Sequence, residues 1–198
     1  MKLASLLAGA AALFVATTSK AAEPPAYALD VSLTAGWDRM VRPSVDHARE
    51  TSATNGGPFV ATAVLFRAPY FVAPFVDVGA YPLYRSEERI DLGAHGGTVT
   101  SESSLWTIGV AAGPAVDLSC FRLRAGIAGY RLSVHSSMAG PSLATSEIDM
   151  GYLVAVSGYF VSAPRFSLGA EARAGLIVEG DTAFVALALT ARGDAWTW

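Results

Sequence analysis

The feature that most constrains the fold is a strict alternation of apolar and polar residues along extended segments. Its first instance runs from Tyr27 to Asp38, where odd positions are apolar or aromatic and even positions are mostly small or polar. A period of two residues predicts a β-strand with one apolar and one polar face. Tilted by about 40°, the stretch from Tyr27 to Trp37 would rise about 25 Å, the thickness of the apolar band that a membrane-spanning sheet must cover.

The same alternation recurs in seven further segments, so the sequence predicts eight strands. They are residues 27–38, 58–67, 71–85, 105–116, 121–133, 147–160, 165–177 and 182–192. Long polar connections are predicted for 39–57, 86–101 and 134–146, and tight turns near 67–70, 117–120 and 161–164. An even number of strands joined alternately by long and short connections predicts an all-β, antiparallel, up-and-down barrel.

The first residues of the chain predict its export. The chain has 198 residues and is 52% hydrophobic, yet beyond the leader no apolar run approaches the ~18 to 20 residues of a spanning helix. Lys2 is followed by an apolar stretch over 3–17, and Ser19 and Ala21 stand at positions −3 and −1 of a cleavage site. We therefore expect a cleaved signal peptide, 1–21, followed by a single barrel domain, 22–198.

Charge and cysteine content exclude several classes of function. Beyond the leader, 12 arginines face 17 acidic residues, and this net charge of −5 argues against nucleic acid as a partner. The single cysteine, Cys120, rules out an intrachain disulfide or a cysteine-based metal cluster. The histidines His47, His95 and His135 lie in or beside three different predicted loops without metal-ligand spacing, so we expect neither metal nor cofactor.

The polar face of the strands indicates which side forms the interior. It is rich in glycine and alanine with isolated charges, which suits a narrow lumen better than the solvated exterior of a soluble barrel such as a lipocalin, the alternative here. Because an unpaired buried charge is costly, inward charges should pair, Glu171 with Arg173 and Arg192 with Asp30. The charges predicted to line the lumen are Asp30, Asp77, Asp149, Glu171, Arg67, Arg85, Arg122, Arg124, Arg173 and Arg192. The aromatic residues predicted at the membrane interfaces, on the opposite face, are Tyr27, Trp37, Tyr84, Trp106, Phe121 and Phe166.

Four features of the sequence carry a resemblance to a known family: the opening strand YALDVSLTAGWD, the segments PFVDVGAYPLYRS and FRLRAGIAGYRL, and the terminal Trp198. In these features the chain resembles the small bacterial outer-membrane β-barrel proteins. This eight-stranded class includes the OmpA transmembrane domain, OmpX and OmpW, and the resemblance covers residues 22–198. It implies a transmembrane barrel in the outer membrane of a Gram-negative cell envelope. It also implies a monomer surrounded by outer-membrane lipid and lipopolysaccharide, and assembled by the barrel assembly machinery, which would read the tail at Trp198.

The function expected from these observations is structural or surface-interacting, with a narrow, charge-paired and closed lumen. One alternative is a porin-like, OmpW-like channel for small hydrophobic solutes. A more remote alternative is a lipid A deacylase, in which His135, Ser137 and either Glu147 or Asp149 would form a nucleophilic set. Met138 stands where that family has an asparagine, and we expect the chain not to be an enzyme.

Overall fold

Almost all of the residues that the computed structural model describes lie in β-strands. The described residues are 27–42, 53–68, 70, 72–91, 98–118, 120–138, 142–163, 165–179 and 181–197. The strands are β1 (Ala28–Arg42), β2 (Ala53–Thr54), β3 (Pro58–Arg67), β4 (Val72–Asp91), β5 (Thr98–Leu118), β6 (Phe121–Met138), β7 (Ser142–Ala163), β8 (Phe166–Ile177) and β9 (Thr182–Thr197). No helix within these ranges is long and apolar enough to cross a membrane. The predicted cleavage residues Ser19 and Ala21, and Trp198, lie outside the described residues.

The eight long strands close into a ring. All neighbours pair antiparallel, in the order β1, β3, β4, β5, β6, β7, β8 and β9, and β9 returns to pair with β1. The two-residue strand β2 pairs with β4 at Arg85 and Ser86. The predicted all-β, eight-stranded, up-and-down barrel is therefore confirmed. We call the end of the barrel near Cys120, where β5 passes directly into β6, the turn end, and the opposite end the loop end.

Strands β4 to β7 are longer than the sequence pattern predicts. They contain 20, 21, 18 and 22 residues, against 10 in β3 and 12 in β8. Much of the predicted loops 86–101 and 134–146 is strand, and the pairing of β5 with β6 continues to Ser101 and Met138. Alternation fails as a signal here because both faces of the sheet are exposed beyond the barrel, so neither face needs apolar residues.

Burial identifies the inner and outer faces of the ring. Along β3 every second residue is buried, and the intervening residues are exposed. The outward residues include large apolar side chains, such as Leu187 at 72% and Leu189 at 69% exposed. Charged residues such as Asp77 and Glu171 are buried inside, at 1% and 2% exposed. This arrangement is the reverse of a soluble barrel, whose charges face outward.

Candidate functional site

The middle of the lumen holds four ion-paired side chains, which we call the central square: Asp77, Arg124, Glu171 and Arg173. Arg124 donates from Nη1 to Asp77 Oδ2 at 2.8 Å and from Nη2 to Glu171 Oε2 at 2.5 Å. Arg173 donates from Nη1 to Asp77 Oδ1 at 3.3 Å, from Nε to Glu171 Oε1 at 2.9 Å, and also from Nη2 to the same oxygen. Each arginine therefore bridges both carboxylates, and the square connects β4, β6 and β8.

Further contacts stabilise the charged groups of the central square. Ser157 donates its hydroxyl proton to Glu171 Oε2 at 2.7 Å, and Arg173 Nη1 donates to the Tyr81 hydroxyl at 2.6 Å. The guanidinium of Arg124 also lies 5.8 Å from the centre of the Phe75 ring. Two positive and two negative groups leave the square neutral. Buried ion pairs of this kind persist because mutual attraction and hydrogen bonds offset the loss of hydration.

A second group of charges, the lower cluster, lies toward the turn end. Its members are Asp30, Arg67, Asp117, Arg122, Arg192 and Asp194. Asp30, which is 1% exposed, lies 2.8 Å from Arg122 Nη2, 2.9 Å from Arg192 Nη2 and 3.3 Å from Arg67 Nη2. Arg122 also pairs with Asp117 at 2.6 Å, and Arg67 with Asp194 at 3.1 Å. Three arginines thus face three carboxylates, and this cluster is neutral as well.

Four aromatic residues fill the lumen on the loop-end side of the central square, and we call them the aromatic layer: Phe59, Tyr81, Tyr130 and Phe184. The Tyr81 ring centre lies 5.4 Å from that of Phe59 and 4.5 Å from that of Phe184, which is 5.9 Å from Tyr130. Tyr81 lies four residues after Asp77, so the alternation puts both on the same face of the strand, but it did not predict this layer. Aromatic residues in phase with the inward charges are the signal that could have indicated it.

Inward glycines make room for the aromatic layer. A Cβ atom at Gly175 would lie 2.2 Å from Phe184 Cε1, and one at Gly79 would lie 2.3 Å from the Tyr81 hydroxyl oxygen. A Cβ at Gly109 would lie 2.6 Å from Tyr130 Cε1. These distances are too short for a real contact. The glycine-rich inner face, noted in the sequence as suited to a crowded interior, thus provides the space that the aromatic rings occupy.

Most of the predicted lumen charges lie in the two clusters, and two do not. Glu171 pairs with Arg173, and Arg192 pairs with Asp30. Asp149 is buried but belongs to neither cluster, and its Oδ2 atom has no hydrogen-bond partner among the described residues.

The prediction that Arg85 faces the lumen and Tyr84 the lipid is wrong for both residues. Tyr84 is only 7% exposed, whereas Arg85 is exposed. The register of β4 against β5 shifts between Pro82 and Tyr84. Such a bulge adds one residue to a strand and reverses the faces of the residues that follow, and Pro82 lacks the N–H group that a regular ladder needs. The other predicted interface aromatics, Tyr27, Trp37, Trp106, Phe121 and Phe166, are exposed on the outer face.

The residues of the remote enzymatic alternative are not brought together. His135 is exposed and pairs with Ala144, whereas Glu147 pairs with Leu132, which is buried in the lumen. Because directly paired residues share a face, His135 lies on the opposite face from Glu147 and from the inward Asp149. Within the described ranges, no group of three or more histidine, cysteine or acidic side chains could hold a metal ion.

Comparison with known proteins relates this fold to solved structures. No family model matches the chain, and no curated protein is significantly similar to it. Neisserial surface protein A is 16% identical, with a TM-score of 0.50 over 84% of this chain and 96% of that one. Ail, the attachment invasion locus protein of Yersinia pestis, is 12% identical, with a TM-score of 0.54 over 85% of this chain and 99% of that one. The chain has the fold of the small eight-stranded outer-membrane β-barrel proteins.

Proposed function

We propose that this chain is an outer-membrane protein with a closed lumen, which holds a β-sheet above the membrane for contact with other molecules at the cell surface. The exposed apolar outer face supports a membrane location, since exposed side chains such as Leu33, Trp37 and Ile127 would otherwise meet water. The signal peptide predicted for 1–21 would supply the export step. With both termini of the barrel at the turn end, that end faces the periplasm and the loop end faces outward.

The stacked clusters support a closed lumen. An eight-stranded barrel encloses a space that side chains alone can fill. Here the neutral lower cluster, the neutral central square and the aromatic layer follow one another along the axis. A solute passing through would have to separate buried ion pairs such as Arg124 with Asp77. Separation of this kind leaves uncompensated charges in a low-dielectric interior and costs about 3 to 5 kcal/mol per pair.

The observation that carries the proposed surface role is the extension of β4 to β7 beyond the ring. Ile177, the last residue of β8, pairs with Gly151 of β7, yet β7 continues nine residues further to Ser142. Nine residues correspond to about 30 Å along a strand. We call the extension formed by residues 87–91, 98–104, 133–138 and 142–150 the projecting sheet. Such a sheet reaches well past the membrane interface.

The two edges of the projecting sheet differ in chemistry. The β4 edge carries Glu87, Glu88 and Arg89, and charged edge residues discourage the addition of another strand. The β7 edge has no charge before Glu147 and exposes 78% of Leu143, and over 142–149 its side away from β6 has no strand partner among the described residues. An open edge of this kind can bind an extended segment by strand addition. The names of the two similar proteins, a surface protein and an attachment protein, agree with a surface role.

Location and orientation are tested by labelling. In a Cys120→Ser background, Ser142→Cys should react with a membrane-impermeant maleimide on intact cells. The matched control Ala163→Cys, at the other end of β7, should react only after the outer membrane is permeabilised. The chain should fractionate with the outer membrane and migrate faster on SDS gels when it is not heated. A soluble periplasmic protein without a mobility shift would overturn the proposal.

The closed lumen is tested by flux of small solutes through liposomes that contain the purified chain. No leak above that of protein-free liposomes is expected, whereas a measurable flux would favour the channel for small hydrophobic solutes. The open edge is tested with Ser146→Pro, which removes one edge N–H group without touching the ring. Cells that aggregate through the wild-type chain should lose aggregation with this variant, and retained aggregation would exclude the β7 edge as the contact.

A further inference from the structure

An isolated arginine lies on the apolar outer face of the barrel. Arg131 of β6 is exposed and pairs across the strands with Ile108 of β5 and Ile148 of β7. Both isoleucines are themselves exposed, at 38% and 73%. No described residue forms an ion pair with Arg131. A cation flanked by apolar side chains on a lipid-facing surface requires an anion from outside the chain or an escape to the headgroup region.

The bulge in β4 brings a second arginine to the same face. Arg85 pairs with Ser104 of β5, which in turn pairs with His135 of β6, so the three form one row across three strands. His135 lies four residues beyond Arg131 on the same side of β6. We call Arg85, Ser104, Arg131 and His135 the outer basic patch. Its upper boundary is acidic, because Glu87 pairs with Glu102 in the next row of the same face.

The height of the outer basic patch matches the headgroups of the outer leaflet. Arg131 is ten residues beyond Phe121, the aromatic residue at the turn end of β6. With a tilt of about 40°, ten residues rise about 25 Å, the height of the apolar band of such barrels. Trp106, 42% exposed and paired with Ser133, lies beside Arg131 and has the position of an interfacial aromatic.

An apolar groove lies below the outer basic patch, on β5, β6 and the neighbouring strand β7. Its volume is about 380 Å³, and every residue that lines it is apolar. The lining residues are Ala112, Gly113, Pro114, Ala125, Gly126, Ile127, Tyr152, Leu153 and Val154. Ile127 and Ala125 are four and six residues below Arg131, which corresponds to about 13 to 20 Å along the strand. Small residues on β5 and β6 form the depression between larger side chains such as Tyr152.

We infer that the outer face of β4 to β7 binds one molecule of lipid A chemistry, with phosphoryl groups on the outer basic patch and an acyl chain in the groove. This inference rests on the proposed outer-membrane location. Arginine binds phosphate through paired N–H groups, and Ser104 and His135 add further donors. Arg85 and Arg131 are on strands separated by β5, at least about 10 Å apart. That separation favours a lipid with more than one phosphoryl group over a phospholipid with a single one.

The binding of this lipid is measured by native mass spectrometry of the purified full chain released from detergent. The probes are diphosphoryl lipid A, fully dephosphorylated lipid A, phosphatidylglycerol and inorganic phosphate. We expect one tightly retained diphosphoryl lipid A. We expect at least tenfold weaker retention of the other two lipids and no retention of free phosphate.

Two variants separate the headgroup from the acyl contribution. R85Q/R131Q should weaken retention of diphosphoryl lipid A about tenfold or more while leaving dephosphorylated lipid A unchanged. Ala125→Leu, which fills the groove, should weaken retention of both forms of lipid A. The matched controls are Arg39→Gln, an outward arginine beside Trp37 on β1, and Ala172→Leu, an outward alanine on β8. Neither control should change lipid retention.

The outcomes distinguish this inference from the proposed function. If variants and wild type fractionate with the outer membrane and shift on gels, but R85Q/R131Q retains lipid A as the wild type does, the lipid site is wrong and the barrel stands. Equal retention of phosphatidylglycerol and lipid A, or of lipid A with and without phosphate, also overturns the site. If the wild-type chain is absent from the membrane fraction, the proposed function fails, and the lipid inference fails with it.

Discussion

Replacing Glu171 by glutamine tests whether the central square stabilises the barrel through its charge balance. Glutamine keeps the size of the side chain and can still accept the hydrogen bond from Ser157, but it leaves Arg124 and Arg173 facing the single carboxylate of Asp77. All four groups of the wild-type square are nearly inaccessible, with side-chain exposures of 0 to 2%. Removing one partner of a buried pair costs about 3 to 5 kcal/mol, because a charge is left uncompensated.

A second substitution distinguishes charge imbalance from a simple loss of contacts. In Glu171→Gln with Arg173→Met, the remaining pair of Asp77 and Arg124 is again neutral. If charge balance governs the free energy of unfolding, the double variant should be more stable than the single variant. If each contact contributes independently, the double variant should be less stable, because it has lost more hydrogen bonds.

The assay is thermal unfolding in detergent micelles, read as the loss of the fast-migrating form on unheated SDS gels. For a chain of this size, 1 kcal/mol corresponds to about 2 to 4 °C, so Glu171→Gln should lower the Tm by about 6 to 20 °C. Arg89→Gln is the control, because Arg89 and Glu87 are 3.9 Å apart and exposed by 75% and 44%. Such a pair contributes little. A Glu171→Gln variant that melts with the wild type would refute the reasoning.

Two further predictions concern packing and the bulge. Gly175→Ala places a methyl group 2.2 Å from Phe184 Cε1 and should destabilise the barrel by about 1 to 3 kcal/mol in urea unfolding, with partial rescue by Phe184→Leu. Gly129→Ala, which meets nothing within 4 Å, should stay within about 0.5 kcal/mol of the wild type. In the Cys120→Ser background, Arg85→Cys should react with a soluble maleimide in micelles, and Tyr84→Cys should not; the reverse pattern would contradict the bulge.

Alternation, together with the lengths of the connections and the small residues of the polar face, was enough to predict the fold, because a closed barrel with lipid outside and side chains inside imposes one rule on every strand. The assignment of Asp30, Asp77, Arg122 and Arg124 to the interior follows from that rule, and the structure buries all four. Their partners are harder to predict. Arg124 and Asp77 are 47 residues apart in sequence, and their contact depends on how the ring closes across the lumen rather than on any local spacing.

The failures of sequence reasoning have local causes. At Pro82 the strand gains a residue, and every later residue of β4 changes face, which no count of odd and even positions can detect without knowledge of the partner strand. In the projecting sheet both faces meet water, so residues such as Ser103 and Ser136, whose hydroxyl oxygens are 3.4 Å apart, carry no apolar signal. Alternation of apolar and polar residues arises where one face of a strand is buried and the other is in a different environment. Where both faces are in water, the pattern is lost and the strand cannot be predicted from it.

The position of the ion pairs suggests that they specify register as well as closing the lumen. Well-packed apolar residues could stabilise a core as well as a buried ion pair does, so stability alone does not explain charges in the lumen. A one-residue slip of β6 would turn Arg122 and Arg124 toward the lipid, at a cost that rises with depth from the interface beside Phe121 to about 2 to 4 kcal/mol for an arginine at the bilayer midplane. The central square connects β4, β6 and β8, and the lower cluster connects β1, β3, β5, β6 and β9. Seven of the eight long strands therefore contribute a charged side chain that reaches its partner only in the observed register. The remaining strand, β7, contributes the hydroxyl group of Ser157, which donates to Glu171. A slip of any long strand would therefore break an ion pair or a hydrogen bond of a buried polar group. A membrane barrel needs this protection against mispairing, because water is absent from the bilayer core and cannot hydrogen-bond the groups that mispaired strands leave without partners.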